Sequence, residues 1–262
     1  MKLALLGMPD NDNTRQFRLY LESEFADWEL SVIYWKPDFR NQLQRTLRKL
    51  RLAGAKATTQ RISQALKIKK SRRRNEQFLK YADTTKEFWV SHHNSEHCAE
   101  IIIKQKIDLV LLSTDAILTK KVLRAPRLLT LNAHPGLTPR YRGLGSLFYM
   151  LQDGLQPVVS VHAVDEGIDT GPLLYREVVP VDPKTGLESI VNTVLTQRLS
   201  IVGKVLRAIE LDGPTYQDTF LEQSAMTRGM PLAERQNLDE ALKTGKIQLT
   251  LPQHEFQDNW AP

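Results

Sequence analysis

The segment that decides the fold reads Asp108-Leu109-Val110-Leu111-Leu112-Ser113. Four consecutive apolar residues between two polar ones are typical of a central parallel strand, which is buried on both faces. The apolar segments Leu3–Leu6 and Leu128–Leu131 have the same character, and segments with helical spacing separate them. Because strands alternate with helices, we predict an α/β fold with an open, mostly parallel, twisted sheet and flanking helices.

The pattern changes in the second half of the chain. Two extended segments, Val158–Val164 and Pro172–Val181, are joined by residues 165–171, which are rich in Gly and Asp. This composition predicts a structured loop between two strands. A short loop of this kind suits strands that pair antiparallel. We predict one long helix at Leu187–Leu211, and near the N-terminus a helix with Thr14 as its N-cap.

Composition excludes several classes of protein. Of the 262 residues, 41% are hydrophobic and 25% are charged, which excludes a wholly disordered chain. A single cysteine, Cys98, excludes an intrachain disulfide and a Cys-rich zinc site. No apolar run is long enough for a transmembrane helix, and the N-terminus does not resemble a signal peptide. We therefore expect a cytoplasmic, reducing setting.

The net charge of +6 is concentrated in one segment. Residues 36–74 hold 14 Lys and Arg and one acid, Asp38, so they carry +13 and the rest of the chain carries −7. We predict a basic helical insertion at about 36–80 within a catalytic domain of residues 1–212. Residues 213–262 lack sustained periodicity, and we expect them to run over the surface as a C-terminal extension without a domain of their own.

Two interpretations of the basic segment stay open. It is either a solvated helical insertion, or a surface that attracts an anionic partner through residues 36–74: a phosphorylated substrate, a nucleic acid or lipid headgroups at a membrane surface. For the cluster His92, His93 and His97 we favour a solvated loop over a metal site, because no fourth ligand is evident. We therefore predict no metal.

Asn132 and His134 follow a buried strand directly. In an extended segment, residues two apart point to the same side, and sites in open α/β sheets lie beyond the carboxyl ends of the strands. Both side chains can donate hydrogen bonds to an oxygen that becomes negative. Asp169, in the loop between the later strands, could orient His134 and move a proton. No Ser or Cys nucleophile is evident, so the set suits direct transfer of an acyl-like group to an external nucleophile.

Three linked motifs carry a resemblance to a known family. They are Asn132-x-His134-Pro135, then Pro139-x-x-Arg142-Gly143, then Val161-His162-x-Val164-Asp165-x-Gly167-x-Asp169-x-Gly171. This set resembles the formyltransferase domain shared by glycinamide ribonucleotide, methionyl-tRNA and nucleotide-sugar formyltransferases. The resemblance implies a Rossmann-like fold, 10-formyltetrahydrofolate as the formyl donor and an amine as the acceptor.

By motif position, the resemblance implies that Asn132, His134 and Asp169 are catalytic, with His162 as an accessory histidine near them. We expect the acceptor amine to attack the formyl carbon. Asn132 and a cationic His134 would hold the oxygen while Asp169 accepts the proton. The folate pocket is expected between two strand-end loops, and its predicted contacts are Leu111, Ser113, Ile117, Leu118, His162, Val164 and Asp165.

Differences from the family's sequence pattern limit which acceptor substrates are expected. The first strand ends Leu6-Gly7-Met8-Pro9-Asp10 without a Gly-rich phosphate loop, and about 50 residues follow position 212, too few for an appended RNA-binding barrel. We therefore expect a small-molecule amine, such as an amino sugar or an amino-acid-like acceptor. Formyltetrahydrofolate hydrolysis, an inactive module that binds polyanions or membrane surfaces, and a homodimeric assembly stay open.

Overall fold

The structure, a computed structural model, describes residues 1–35, 84–218 and 224–252. These ranges contain a seven-stranded sheet with the order β3-β2-β1-β4-β5-β6-β7. The strands are β1 (Lys2–Gly7), β2 (Glu29–Trp35), β3 (Lys86–Val90), β4 (Leu109–Leu112), β5 (Leu129–His134), β6 (Val158–Ala163) and β7 (Leu173–Val178). β1 to β5 pair in parallel, whereas β6 is antiparallel to both of its neighbours. The predicted open, mostly parallel α/β sheet is confirmed.

Helices cover both faces of this sheet. They are α1 (Asp12–Glu24), α2 (Glu96–Lys104), α3 (Lys120–Leu123), α4 (Ser146–Gln152), α5 (Leu187–Asp212) and α6 (Leu232–Lys243), with a short 3-10 turn at Pro183–Thr185. Within the described ranges, no helix is both long enough and apolar enough to cross a membrane.

The alternation of side chains along β4 divides the core into two layers. Leu109 and Leu111 pack on the face covered by α1 and α5, whereas Val110 and Leu112 pack on the face covered by α2 and α3. All four side chains are almost completely buried. Because both faces of the strand are covered, a continuous apolar run is the pattern that this position requires.

Two local predictions are wrong. Asn11, not Thr14, is the N-cap of α1: its side-chain oxygen accepts a hydrogen bond from the Thr14 N–H at 3.2 Å. The C-terminal extension contains the unpredicted helix α6, whose Leu238 and Leu242 are buried in the same core as α1 and α5. Only these two positions of α6 are buried, so the apolar residues of this segment are too few to indicate a helix from the sequence. The predicted basic insertion at 36–80 lies outside the described residues.

The loop between β6 and β7 is held by a very close approach of two backbone segments. A Cβ atom at Gly171 would lie 1.8 Å from the Ala163 carbonyl oxygen, a distance that only a shift of the backbone could relieve. Gly171 is therefore required by space, and it fixes the loop that carries Asp169 against the end of β6.

We expect Gly171→Ala to lower the free energy of unfolding by about 1–3 kcal/mol, because the backbone must move to admit the methyl group. Urea unfolding followed by circular dichroism measures the change. Gly229→Ala is the matched control, since no atom lies within 4 Å of a Cβ built at Gly229. Equal stabilities of the two variants would contradict the steric argument.

Candidate active site

Asn132 and His134 lie at the end of β5, where the parallel part of the sheet meets the antiparallel strand β6. They are two residues apart on one strand and face the same cavity, as the strand geometry predicts. In the register of β5 and β6, Asn132 lies opposite His162. This pairing brings the Asn132 amide and the imidazoles of His134 and His162 together at the carboxyl end of β5.

Asp169 completes the cluster from the loop between β6 and β7. Its Oδ2 lies 3.3 Å from His134 Nδ1 and accepts a 2.8 Å hydrogen bond from the Gly143 N–H. Its Oδ1 accepts from Asn132 Nδ2 at 3.3 Å and lies 3.5 Å from His162 Nε2. The carboxylate is therefore the point at which three elements of the chain meet.

The backbone at Asp169 has a φ of 51°, in the left-handed region that non-glycine residues rarely adopt. A residue persists in this conformation only where the surrounding structure holds it. Here the contacts of the carboxylate supply that restraint, and they aim the side chain at His134 rather than at solvent.

Both ring nitrogens of His134 face acceptor oxygens. Nε2 donates to the Tyr141 carbonyl oxygen at 3.1 Å, and Nδ1 faces Asp169. The Nε2 edge also packs tightly on Gly136, where a Cβ atom would lie 2.6 Å from it. The ring is thus fixed in orientation, with Nδ1 as the nitrogen that can exchange a proton near the cavity.

Burial sets the protonation of this cluster. Burial lowers the pKa of His134 to about 4, although the Asp169 carboxylate opposes the shift. For Asp169, burial alone would raise the pKa, but the hydrogen bond from His162, the charge of His134 and the Gly143 N–H together lower it to about 2. Near pH 7 burial therefore favours a neutral imidazole beside the carboxylate, and the cationic His134 expected during the reaction stays a prediction.

The cavity in front of this cluster has a volume of about 560 Å³, within the range of pockets that hold small ligands. Six of the seven predicted folate contacts line it, namely Ser113, Ile117, Leu118, His162, Val164 and Asp165. Leu111 does not: it is completely buried in the core beneath α1 and α5, and its neighbour Leu112 lines the cavity instead. The Asp165 carboxylate is engaged within its own loop by Thr170 Oγ1 at 2.8 Å and the Gly167 N–H at 3.0 Å.

Several cavity residues escaped the sequence analysis. Asn13 comes from the first turn of α1, Arg198 from α5, and Met226, Thr227 and Arg228 from the C-terminal extension. The extension is held in place by hydrogen bonds in both directions between Thr227 and the turn at residues 142–144. Arg198 does interrupt the apolar stripe of α5, and that signal could have singled it out.

The histidine cluster near α2 is not a fully solvated loop, as the sequence predicted, because one of its members is buried. His93 is buried and packs edge-on against Trp35, with ring centroids 4.8 Å apart. Among the described residues, no group of three or more His, Cys, Asp or Glu side chains is arranged to hold a metal ion.

Comparison with known proteins places this geometry in a family. The model of the family described as "Formyl transferase" matches residues 38–206, more than half of the chain. The chain belongs to the formyltransferase family. This membership agrees with the three motifs, because Asn132, His134 and the loop of Asp169 all lie inside the matched range.

Curated relatives share part of their length with this chain. Methionyl-tRNA formyltransferase of Wigglesworthia glossinidia brevipalpis is 35% identical over 103 residues, which are 38% of this chain and 31% of the relative. The enzyme of that name from Syntrophus aciditrophicus is 37% identical over 116 residues, 43% of this chain and 36% of the relative. The matched part of the chain thus spans about a third of the length of these relatives.

Solved structures show the same fold. A sugar N-formyltransferase from Shewanella sp FDAARGOS_354 superposes with a TM-score of 0.57 at 14% identity, covering 93% of this chain and 87% of that one. Glycinamide ribonucleotide transformylase 1 from Symbiobacterium toebii gives a TM-score of 0.54 at 20% identity, covering 85% and 91%. At these identities the likeness concerns the fold alone.

We expect the His134 ring to titrate well below 6.5, near pH 4, in an NMR titration of the histidine side chains. Asp169→Asn should lower this pKa further, because the carboxylate raises it. Asp212→Asn, at an exposed carboxylate at the C-terminal end of α5 that does not line the cavity, is the matched control and should leave the titration unchanged. A His134 pKa at or above 6.5 in the free protein would contradict the account of the site.

Proposed function

We propose that this formyltransferase moves a formyl group from 10-formyltetrahydrofolate to the amine of a small-molecule acceptor. One observation carries the proposal: the Asp169 carboxylate lies 3.3 Å from both Asn132 Nδ2 and His134 Nδ1, and all three residues line one cavity. Family membership supports the reaction class. The cytoplasmic setting and the homodimer expected from the sequence stay predictions.

The cavity suits a folate donor in shape and chemistry. Ile117, Leu118 and Val164 supply apolar surface on two facing loops, which a flat pterin ring requires. When bound, the donor would supply a formyl carbon beside Asn132. Ile117 is 55% exposed in the free protein, so a ligand at this wall would cover apolar surface that water now contacts.

Asn132 is the residue that we assign to the formyl oxygen. Its Nδ2 already donates to Asp169 and lies 3.4 Å from His162 Nε2, so the amide is oriented before any ligand arrives. A preorganised donor of this kind stabilises negative charge without having to reorient during the reaction. Loss of one such donor typically slows turnover about 10²–10³-fold.

The Asp169–His134 pair is assigned to proton transfer. An amine that has attacked the formyl carbon carries positive charge, and its N–H is then strongly acidic, so a carboxylate with a low pKa is a sufficient base. His134 Nδ1 shares that proton with Asp169, because Nε2 is held by Tyr141. The ring thus gains positive charge as the formyl oxygen becomes negative. The proton is then returned to the folate nitrogen as its bond to the formyl carbon breaks, which restores the carbonyl of the formylated amine and leaves tetrahydrofolate.

The test of the reaction is release of tetrahydrofolate, measured with and without a panel of amines. The panel pairs ornithine with putrescine and glucosamine 6-phosphate with glucosamine, and includes methionyl-tRNA because of the curated relatives. Amine-dependent release supports transfer. Release without any amine would indicate hydrolysis, and methionyl-tRNA as the only acceptor would refute the small-molecule assignment.

We expect His134→Ala and Asp169→Asn each to abolish turnover while circular dichroism and thermal unfolding stay close to those of the wild type. Asn132→Ala should lower kcat about 10²–10³-fold. His97→Ala and Asp10→Asn are matched controls at exposed positions outside the cavity and should retain full activity. Near-normal turnover by His134→Ala would exclude the proposed mechanism.

A further inference from the structure

Arg198 is a buried cation in the wall of the active-site cavity. It lies on α5 between Val194 and Ile201, within a stripe of buried apolar residues, and its own exposed fraction is only 6%. It also lines the cavity that contains Asn132 and His134. A guanidinium in this position loses water contacts and needs replacement partners.

The protein supplies only part of what Arg198 needs. Nη2 donates to Asn13 Oδ1 at 3.0 Å, and the guanidinium lies over the Phe17 ring at 4.8 Å. The buried Nε has no hydrogen-bond partner among the residues that the structure describes. In the ranges that the structure describes, no carboxylate oxygen lies within 4.0 Å of an Arg198 nitrogen, the distance at which the two would form an ion pair.

Two of the three acids that line the same cavity are engaged elsewhere. Asp169 is held by the two histidines and Gly143, and Asp165 is held by Thr170 and Gly167. Asp115 influences Arg198 only through its charge at longer range. The buried positive charge thus lacks a direct counter-ion, which is unusual for a buried arginine and typical of a site that receives one from a ligand.

Asn13 adds a second group to this wall. It belongs to the first turn of the 13-residue helix α1, lines the cavity, and accepts from Arg198 through Oδ1, which leaves its Nδ2 as a further donor. The helix N-terminus adds partial positive charge. A planar guanidinium beside an amide donor matches the oxygens of a carboxylate or a phosphate.

We propose that Arg198 and Asn13 bind an anionic group, a carboxylate or a phosphate, on the acceptor amine, so that this enzyme formylates an acidic amine. The inference rests on the proposed transfer reaction and names the acceptor class for the same site. Arg198 lines the same cavity as Asn132 and His134, so an acceptor held by Arg198 shares that cavity with the reaction centre. Burial lowers its own pKa to about 10, so it stays cationic at neutral pH.

The experiment measures anion binding directly. Inorganic phosphate and acetate are titrated into the full chain by calorimetry, at constant ionic strength set with sodium chloride. We expect wild type to bind one of the two at a single site, and Arg198→Gln to weaken that binding at least about tenfold. Arg124→Gln, an exposed arginine outside the cavity, is the matched control and should bind as wild type does.

Asn13→Asp tests the same site without removing the arginine. The new carboxylate would pair with Arg198 Nη2 at the position where Oδ1 now lies, and an acid is favourable in a first helical turn. We expect this variant to fold, with a melting temperature at or above that of wild type, and to lose anion binding at least about tenfold. Asn192→Asp, an exposed position on α5, is the isosteric control.

The source of the anion is distinguished with 5-formyltetrahydrofolate, a stable analogue of the donor. If the anion belongs to the acceptor, phosphate or acetate binds equally well when the folate site is saturated. Displacement by the folate would assign Arg198 to the glutamate tail of the donor and overturn the proposal. So would the absence of anion binding by wild type, or equal binding by wild type, Arg198→Gln and Asn13→Asp.

His134→Ala separates this inference from the proposed function. The variant should lose transfer and keep anion binding, because the polar partners of His134 in the described part of the chain are Tyr141 and Asp169, and not Arg198. Anion binding that depends on Arg198 in an enzyme without amine-dependent transfer would refute the reaction alone. If transfer depends on the amine but Arg198→Gln binds the anion as well as wild type does, the proposed acceptor class is wrong and the proposed reaction stands.

Discussion

The site depends on one buried carboxylate. Asp169 has contacts with His134, His162, Asn132 and the Gly143 N–H, and these groups come from β5, β6 and the turn after β5. A buried charge is stable only when hydrogen bonds and opposite charges replace water around it. The arrangement therefore fixes the amide and both rings relative to one another, and it does so before any substrate binds.

This constraint explains why the site lies at the junction between the parallel and antiparallel parts of the sheet. β5 ends with Asn132 and His134 pointing into the cavity, and the antiparallel β6 returns His162 to the position opposite Asn132. The loop that follows can then bring Asp169 back over β5 within a few residues, because Gly171 permits close contact with Ala163. A parallel crossover at this point would carry the chain away from the site.

Electrostatics divides the cavity into two regions. One contains His134 and the anionic Asp169, which can exchange a proton, and the other contains the buried cation Arg198 beside Asn13. Apolar residues such as Ile117 line the rest of the wall. An amine with an acidic group would match both charged regions, and its nitrogen would then be directed toward the formyl carbon by two separate contacts.

The order of apolar runs was enough to predict the sheet, and the spacing of Asn132 and His134 was enough to predict their common side, because both follow from local backbone geometry. The sequence motifs also indicated Asp169. The tertiary structure decided the pKa of His134, because distant segments bury its ring. It also decided that Leu111 lies outside the cavity, because α1 and α5 cover that face of β4. The charge of Arg198 was visible in the chain, but its isolation from carboxylates became evident only when α1, α5 and the ends of β4 and β5 packed around one cavity.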